Sequence, residues 1–250
     1  MPDFSSSLPL AGKAALITGG ARRIGRAIAL DLARAGAAVA FTYRKSAADA
    51  FETERQLRGI GASSLGIQLD LRHSHAIHDA LATAHAALGR LDIIVNNAGR
   101  YEDVPFEAIS DAQWDAMMEA NLRAPFLVSR EAAPMLRANG GGRIINLGSV
   151  GASRAFPTHA HYCASKAGLE HLTRVMARAL APEIQVNAVS PGLITFEPEL
   201  TAWERKMAAR TPMRRGGKPE EVAEAVRWFA TCSRFVTGQV LLVDGGLSLV

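Results

Sequence analysis

The chain has 250 residues, of which 48 % are hydrophobic and 21 % are charged, a balance typical of a globular protein with a sizeable core. Its 28 basic and 24 acidic residues give a formal charge of +4, and the arginines are scattered along the chain. That distribution argues against a nucleic-acid-binding surface, and no apolar run approaches the roughly 18 residues of a membrane span.

The two cysteines, Cys163 and Cys232, have no paired spacing. They predict neither a metal site nor a disulfide framework, and they fit a protein of the reducing cytoplasm. Residues 1–10 carry no basic residue before a short apolar patch, which is not the pattern of a signal peptide. We expect residues 1–10 to form a flexible tail.

Short apolar, β-rich runs alternate with longer segments of helical periodicity, such as 24–34 and 220–229. The predicted strands are 13–17, 38–42, 64–69, 92–96, 143–147, 185–189 and 239–243. Alternation of this kind predicts right-handed βαβ crossovers and a parallel sheet. Because no linker or repeat interrupts it, we expect residues 11–250 to form one α/β domain. Its predicted architecture is a Rossmann fold, a doubly wound, parallel, seven-stranded sheet with helices on both faces.

One segment, at about 193–217, departs from this alternation. It follows the sixth predicted strand and holds the large apolar residues Phe196, Trp203, Met207 and Met213. A long insertion at the C-terminal end of a strand is where α/β proteins place a substrate lid. We therefore expect a lid here, with Phe196 and Trp203 among the residues of the substrate pocket.

A glycine-rich turn follows the first predicted strand and leads directly into a helix, with the sequence Thr18-Gly19-Gly20-Ala21-Arg22-Arg23-Ile24-Gly25. Gly19 and Gly20 permit a tight turn, and Gly25 lets the helix start close to the sheet. The free N–H groups at such a helix start favour an anion. Since Arg22 and Arg23 oppose the helix dipole there, we interpret them as partners of a bound phosphate.

The end of the second predicted strand indicates which dinucleotide binds. Folds that bind NAD place an acid about 20 residues after the glycine turn, where it holds the ribose 2′-hydroxyl. Here the sequence reads Tyr43-Arg44-Lys45-Ser46, and the first acid is Asp49. Arg44 and Lys45 lie where a 2′-phosphate would be neutralised, so the sequence favours NADP(H) over NAD(H).

A tyrosine and a lysine one helical turn apart, Tyr162 and Lys166, indicate acid–base chemistry. A tyrosine with a pKa near 10 is a poor acid or base at neutral pH, and a neighbouring ammonium favours its phenolate. We therefore expect Lys166 to lower the pKa of Tyr162. Ser149, just after the fifth predicted strand, can offer a hydroxyl to an oxygen that becomes negative during a reduction.

Taken in order, these motifs resemble those of the short-chain dehydrogenase/reductase family over nearly the whole chain. The glycine turn, Asn96-Asn97-Ala98-Gly99 and the segment from Tyr162 to Lys166 carry the resemblance. It implies a catalytic tetrad of Asn121, Ser149, Tyr162 and Lys166, in which Asn121 holds a proton-relay water. It further implies that Tyr162 protonates the substrate while hydride passes from the nicotinamide to the substrate carbon.

The resemblance also implies the cofactor contacts. Asp70 and Leu71 correspond to residues beside the adenine, and Lys166 to the residue that binds the nicotinamide ribose. The turn from Pro191 to Thr195 corresponds to the contact with the nicotinamide carboxamide. The full expected set is Gly19, Arg22, Arg23, Ile24, Tyr43, Arg44, Lys45, Ser46, Asp70, Leu71, Asn97, Ala98, Gly99, Tyr162, Lys166, Pro191, Gly192, Ile194 and Thr195.

The substrate remains open between two classes at this point. Arg23 stands where the family usually has glycine, and together with Tyr101 it resembles the branch that reduces pterins and dihydropterins. Ser149, by contrast, is what the carbonyl reductases use, including those that act on 3-oxoacyl thioesters. We expect a carbonyl reductase of 3-oxoacyl or general ketone type first, and a pteridine or dihydropterin reductase second. A non-catalytic NADP-binding sensor is a third reading, which the complete tetrad disfavours.

Three expectations concern other residues. The helical segments 111–137 and 162–181, with the C-terminal strand, resemble surfaces through which relatives form homotetramers. Trp114, Met117 and Met118 are expected to be packing or subunit-contact residues, as are Trp228 and Phe229. His159 and His161 flank Tyr162. Of two readings, residues of a surface loop and residues that line the entrance to the site, we expect the first.

Overall fold

A single parallel sheet runs through the described residues, 8–197 and 199–250, of the computed structural model. Its strands are β1 (Ala14–Ile17), β2 (Ala38–Tyr43), β3 (Ser64–Gln68), β4 (Ile93–Asn96), β5 (Gly142–Leu147), β6 (Ile184–Pro191) and β7 (Val240–Val243). The strand order is β3-β2-β1-β4-β5-β6-β7, and every neighbouring pair is parallel. All of the predicted strands are present, with ends that shift by one or two residues.

Helices cover both faces of this sheet. They are α1 (Arg23–Arg34), α2 (Ala47–Gly59), α3 (Ser74–Leu88), α4 (Asp111–Met118), α5 (Ala124–Ala138), α6 (Ala160–Leu180), α7 (Ala202–Arg210) and α8 (Pro219–Thr231). Successive side chains of a strand point to opposite faces. Ile17 of β1 therefore packs with α1, α2 and α8, while its neighbour Leu16 packs with α3, α5 and α6. The predicted doubly wound Rossmann fold is confirmed.

The sheet reverses its winding beside β1. β1 pairs with β2 on one side and with β4 on the other, so the loops that follow β1 and β4 diverge to opposite faces. In open α/β sheets the crevice at such a switch point, beyond the carboxyl ends of the strands, is where ligands bind. The glycine turn after β1 and the Asn-Asn-Ala-Gly motif at the end of β4 both lie at this crevice.

The end of the segment predicted as a flexible tail, residues 1–10, is part of the folded domain. Residues 1–7 lie outside the described residues, but Leu10 is buried in the core and its amide donates to the Ala35 carbonyl (2.8 Å). Residue 10 therefore belongs to the domain. Within the described residues, no helix combines the length and the apolar character needed to cross a membrane.

The segment predicted as a lid contains helix α7, which begins at a capping box formed by Thr201 and Glu204. Its two ends are joined, because the amide of Thr195 donates to the Gly217 carbonyl (3.0 Å). Residue 198 lies outside the described residues. The segment is thus a closed excursion from the end of β6, and its role as a lid stays a prediction.

Candidate active site

The turn after β1 is held by hydrogen bonds from β2 and from the motif after β4. The Thr18 hydroxyl accepts from the backbone amides of Asn97 and Ala98 (3.0 Å each). The Asn97 amide nitrogen donates to the Thr18 carbonyl (2.9 Å) and to the Gly19 carbonyl (3.0 Å). These contacts leave no room for a side chain at Gly25, where a Cβ would lie 2.3 Å from the Gly19 oxygen. The close helix start that the sequence predicted is therefore present.

Backbone amides at the start of α1 lack a side-chain cap. The N-cap residue is Arg22, whose side chain accepts no hydrogen bond, and the first turn holds no acid. Arg23 has a left-handed backbone (φ 52°), and its guanidinium lies 5.0 Å above the Phe196 ring. An uncapped, cationic helix start favours an anion.

A cleft of about 570 Å³ extends from this helix start along the ends of β2, β3 and β4. Of the residues predicted to contact a cofactor, those that line it are Gly19, Arg22, Arg23, Ile24, Tyr43, Arg44, Lys45, Ser46, Asp70, Leu71, Asn97, Ala98 and Gly99. Phe196 lines it as well, which brings the start of the predicted lid to the mouth of the cleft.

The acids near this cleft are engaged by arginines. The Asp49 carboxylate pairs with Arg26 of α1 (3.3 Å). Asp70 accepts from the guanidinium of Arg72 (2.6 Å), and this hydrogen bond holds the pKa of Asp70 at about 2. Within the described part of the chain, Arg44 and Lys45 have no carboxylate partner. The end of β2 therefore presents two cations to the cleft.

Tyr162 lies in the first turn of α6, next to Ser149 at the end of β5. The Ser149 hydroxyl accepts from the Gly151 amide (3.0 Å) and lowers the pKa of Tyr162 through a hydrogen bond. Burial of the phenol is the larger influence, and it raises the pKa of Tyr162 to about 12. The phenol is therefore protonated at neutral pH, the form that a proton donor requires.

The prediction that Lys166 lowers the pKa of Tyr162 is wrong. Lys166 Nζ donates to the Leu147 carbonyl (2.6 Å) and lies 5.9 Å from the centre of the Tyr162 ring. Burial lowers the pKa of Lys166 to about 8, which still leaves its ammonium mostly charged at pH 7. The sequence shows the spacing of the two residues, whereas desolvation of both depends on the segments that cover them.

Asn121 is fully buried in a π-helical turn, Glu119–Arg123, between α4 and α5. Such π-bulges occur frequently at functional sites. The Oδ1 of Asn121 accepts a hydrogen bond from the Arg100 amide (2.7 Å), and its Nδ2 donates to the Arg100 carbonyl (3.0 Å). A Cβ placed on Gly99 would lie 3.0 Å from Asn121 Oδ1 and 3.8 Å from Lys166 Nζ. The structure thus brings both side chains to the loop after β4, which also lines the cleft.

A cluster of aromatic rings lies beside Tyr162. The Tyr101 ring packs edge-on against Tyr162 (centroids 5.0 Å apart) and lies tilted against His159 (4.6 Å), while Phe156 meets the other side of His159 (5.9 Å). His159 and His161 are 7 % and 0 % exposed. Their prediction as surface-loop residues is wrong, because the loop after β4 folds over the start of α6.

Some predicted contacts lie outside the cleft. The turn at the end of β6 is absent from its lining, namely Pro191, the last residue of the strand, and Gly192, Ile194 and Thr195 after it. Their backbone is tied to β7 and to Gly217. Trp203 is 56 % exposed on α7. The predicted catalytic tetrad and Tyr101 are not part of the lining either, although Gly99 is. The tetrad consists of Asn121, Ser149, Tyr162 and Lys166.

Sequence reasoning missed Arg72 and Arg100, which both line the cleft. Arg100 directly follows the Asn-Asn-Ala-Gly motif, and Arg72 follows the predicted pair Asp70 and Leu71. Proximity in the chain to these motifs is the signal that would have identified them.

The switch-point crevice, the glycine turn and the cationic cleft define a dinucleotide-binding α/β protein. A family model described as enoyl-(acyl carrier protein) reductase matches residues 19–248. The chain belongs to the short-chain dehydrogenase/reductase family, whose members bind a nicotinamide cofactor.

Among similar proteins, the 3-oxoacyl-[acyl-carrier-protein] reductase of Staphylococcus aureus is 35 % identical, covering 94 % of this chain and 98 % of its own. A short-chain dehydrogenase/reductase structure from Serratia marcescens is 40 % identical, with TM-score 0.92, and covers 96 % of this chain and 99 % of its own. A gluconate 5-dehydrogenase from Burkholderia cenocepacia, solved with NADP and tartrate, is 35 % identical (TM-score 0.90, 96 % and 97 % covered). The protein is an oxidoreductase, and these relatives lend no support to a non-catalytic sensor.

Proposed function

We propose that the protein is an NADPH-dependent reductase of a carbonyl group, with a 3-oxoacyl thioester or a related ketone as substrate. The observation that carries the proposal is the buried, protonated phenol of Tyr162 beside the Ser149 hydroxyl. Both lie next to a loop that continues into a cleft lined with cations. The identity to a 3-oxoacyl-[acyl-carrier-protein] reductase over nearly the whole chain supports this substrate class.

The residues of the cleft fit a dinucleotide that carries a 2′-phosphate. Gly25 has no space for a side chain, and Gly19 has a left-handed backbone (φ 64°) with tight surroundings. The start of α1 is uncapped, and Arg22 and Arg23 flank it. Beyond β2, Arg44 and Lys45 would hold the 2′-phosphate, since Asp49 is engaged by Arg26. When bound, NADPH supplies a hydride, that is, a proton together with two electrons.

The protein's own groups would complete the reduction of the carbonyl to an alcohol. The Ser149 hydroxyl would donate a hydrogen bond to the carbonyl oxygen and stabilise the negative charge that develops on it. Tyr162 would transfer its phenolic proton to that oxygen. Lys166 and Asn121 would form the path through which Tyr162 regains its proton, because Lys166 Nζ and Asn121 Oδ1 both lie within 4 Å of the Cβ position at Gly99.

The test is NADPH oxidation with acetoacetyl thioesters and ethyl acetoacetate, with identification of the 3-hydroxy product. Ser149→Ala should lower kcat by about 10²-fold or more, as the loss of one oxyanion donor does. Formation of no 3-hydroxy product from any of these ketones would overturn the proposal.

A pterin is the second candidate, favoured by the placement of Arg23 and Tyr101. The Arg23 guanidinium lies over the Phe196 ring at the mouth of the cleft, and the Tyr101 ring packs against Tyr162. An aromatic ring against the proton donor and a cation at the mouth of the cleft suit a flat heterocycle. Reduction of dihydrobiopterin with a kcat/KM above that for every ketone would favour this alternative.

We also infer that the chain acts as a homotetramer. Between α4, α5 and α6 runs an apolar groove of about 1050 Å³, lined among others by Trp114, Leu122, Phe126 and Val175. Met117 is buried beneath it, whereas Trp114 is partly exposed, as a subunit contact would be before assembly. Closed symmetry is the rule for such oligomers. Light scattering should give the tetramer mass, and Val175→Arg should reduce it; a monomeric wild type would contradict the inference.

A further inference from the structure

His159 is a buried histidine whose outer nitrogen is unused. The residue caps α6 three positions before Tyr162, and its ring lies between Tyr101 and Phe156. Within the described residues its Nε2 has no hydrogen-bond partner. A buried polar atom without a partner destabilises a protein, so its presence beside a proton donor calls for an explanation.

The contact of Nδ1, the other ring nitrogen of His159, indicates which nitrogen carries the hydrogen. Nδ1 of His159 lies 3.0 Å from the Thr158 hydroxyl. That hydroxyl makes no other side-chain hydrogen bond among the described residues, so donating to Nδ1 satisfies both groups. Nδ1 is then the acceptor and Nε2 carries the hydrogen. Burial lowers the pKa of His159, an effect that His161 reinforces and Asp103 opposes, which keeps the ring neutral.

The His159 ring lies close to the proton donor, with one aromatic ring between them. The single Tyr101 ring contacts both His159 (4.6 Å) and Tyr162 (5.0 Å), so both side chains border one small space. Tyr101 is 58 % exposed and lies in an irregular loop, whereas His159 is fixed at the start of α6. A substrate that displaces the Tyr101 ring would meet the phenol of Tyr162 and the imidazole of His159 together.

We propose that His159 Nε2–H donates a hydrogen bond to a second oxygen of the substrate, next to the carbonyl that is reduced. His159 would thereby select a β-dicarbonyl compound, such as a 3-oxoacyl thioester, over an isolated ketone. The assignment rests on the proposed function. It makes His159 a specificity-determining residue, and it predicts that the second oxygen contributes to kcat/KM only when a donor is present at this position.

The test compares two substrates of equal chain length, ethyl acetoacetate and 2-heptanone, of which only the first has the second carbonyl. His159→Phe keeps a ring between Tyr101 and Phe156 but removes the donor. It should lower kcat/KM for ethyl acetoacetate about tenfold, the value of a neutral hydrogen bond, and change that for 2-heptanone less than twofold. His159→Gln, which retains an N–H donor, should restore most of the difference.

Two further variants serve as a second test and as a control. Thr158→Val removes the hydroxyl that fixes the imidazole proton and should reduce the substrate preference in the same direction, without altering the buried ring itself. His75→Phe, at an exposed histidine of α3, is the matched control and should leave the preference unchanged.

The outcomes distinguish a failure of the His159 assignment from a failure of the proposed function. If His159→Phe lowers activity on both ketones equally, or on neither, the assignment of His159 is overturned while the carbonyl reductase stands. If the wild-type protein reduces neither ketone with NADPH, the proposed function is overturned, and the assignment with it.

Discussion

The Asp49 carboxylate lies 3.3 Å from the Arg26 guanidinium, which also donates to the Ala21 carbonyl and to the Thr53 hydroxyl. This contact joins α2 to α1 and engages the first acid that follows β2. Among the described residues, the cations at the end of β2 consequently face the cleft without forming an ion pair, and the Asp70 carboxylate that shares the cleft is held by Arg72.

From this relationship we predict a preference for NADPH. The wild-type kcat/KM should favour NADPH over NADH at least tenfold, since a hydrogen bond to a charged group contributes about 1.5–3 kcal/mol. Arg44→Ala should weaken the binding of NADPH and leave the binding of NADH nearly unchanged. The preference for NADPH should also shrink as the salt concentration rises. Arg58→Ala, at an exposed residue of α2, is the control. A variant at Arg44 that loses both cofactors alike would contradict the assignment.

Tyr162→Phe should remove the proton donor without disturbing the cleft. We expect kcat to fall about 10²–10⁴-fold, while the Kd for NADPH, measured by fluorescence quenching, changes little. Because burial raises the pKa of Tyr162 to about 12, a spectroscopic titration of the cofactor-free protein should show no ionisation of this phenol near neutral pH. A folded variant with near-normal turnover would show that another group gives the proton.

Gly25→Ala should weaken dinucleotide binding by a steric effect. The added Cβ would lie 2.3 Å from the Gly19 oxygen and 2.6 Å from the Asn97 amide nitrogen, which are backbone and bracing atoms of the turn. We expect the Kd for NADPH to rise at least tenfold. Gly59→Ala is the matched control, since a Cβ there meets nothing within 4 Å. Equal affinities for the two variants would show that the turn is not a phosphate site.

Asp92 should make the stability of the protein dependent on pH. Desolvation by burial raises the pKa of Asp92, but hydrogen bonds from Arg90, from the Ala14 amide and from Lys13 outweigh it, so the pKa is lowered overall. The stabilisation is therefore complete above the unfolded-state pKa of about 3.9 and is lost as pH falls through the lower folded-state value.

Asp92→Asn should accordingly lower the free energy of unfolding by about 1–3 kcal/mol at pH 7. Urea unfolding at pH 7 and near pH 3 would measure the difference between wild type and variant, which should shrink at the lower pH. A difference that stays constant would show that the carboxylate charge is not responsible.

Sequence by itself determined the architecture of this protein. Strand positions follow from short apolar runs, and the helices between them from longer periodic segments, because each pattern reflects which local residues can be buried on one face. The glycine turn after β1 and the pair Tyr162 and Lys166 were likewise identified from local spacing. The Ile24–Gly25 helix start was placed within one residue of its observed position.

Only the tertiary structure decided the environments of the site residues. His159 and His161 are buried because the loop carrying Tyr101 folds over them, and nothing in the residues around Tyr162 indicates that cover. The pKa of Tyr162 is raised rather than lowered for the same reason. Desolvation depends on segments distant in the chain, and it outweighs the effect of a lysine whose ammonium is directed at the Leu147 carbonyl.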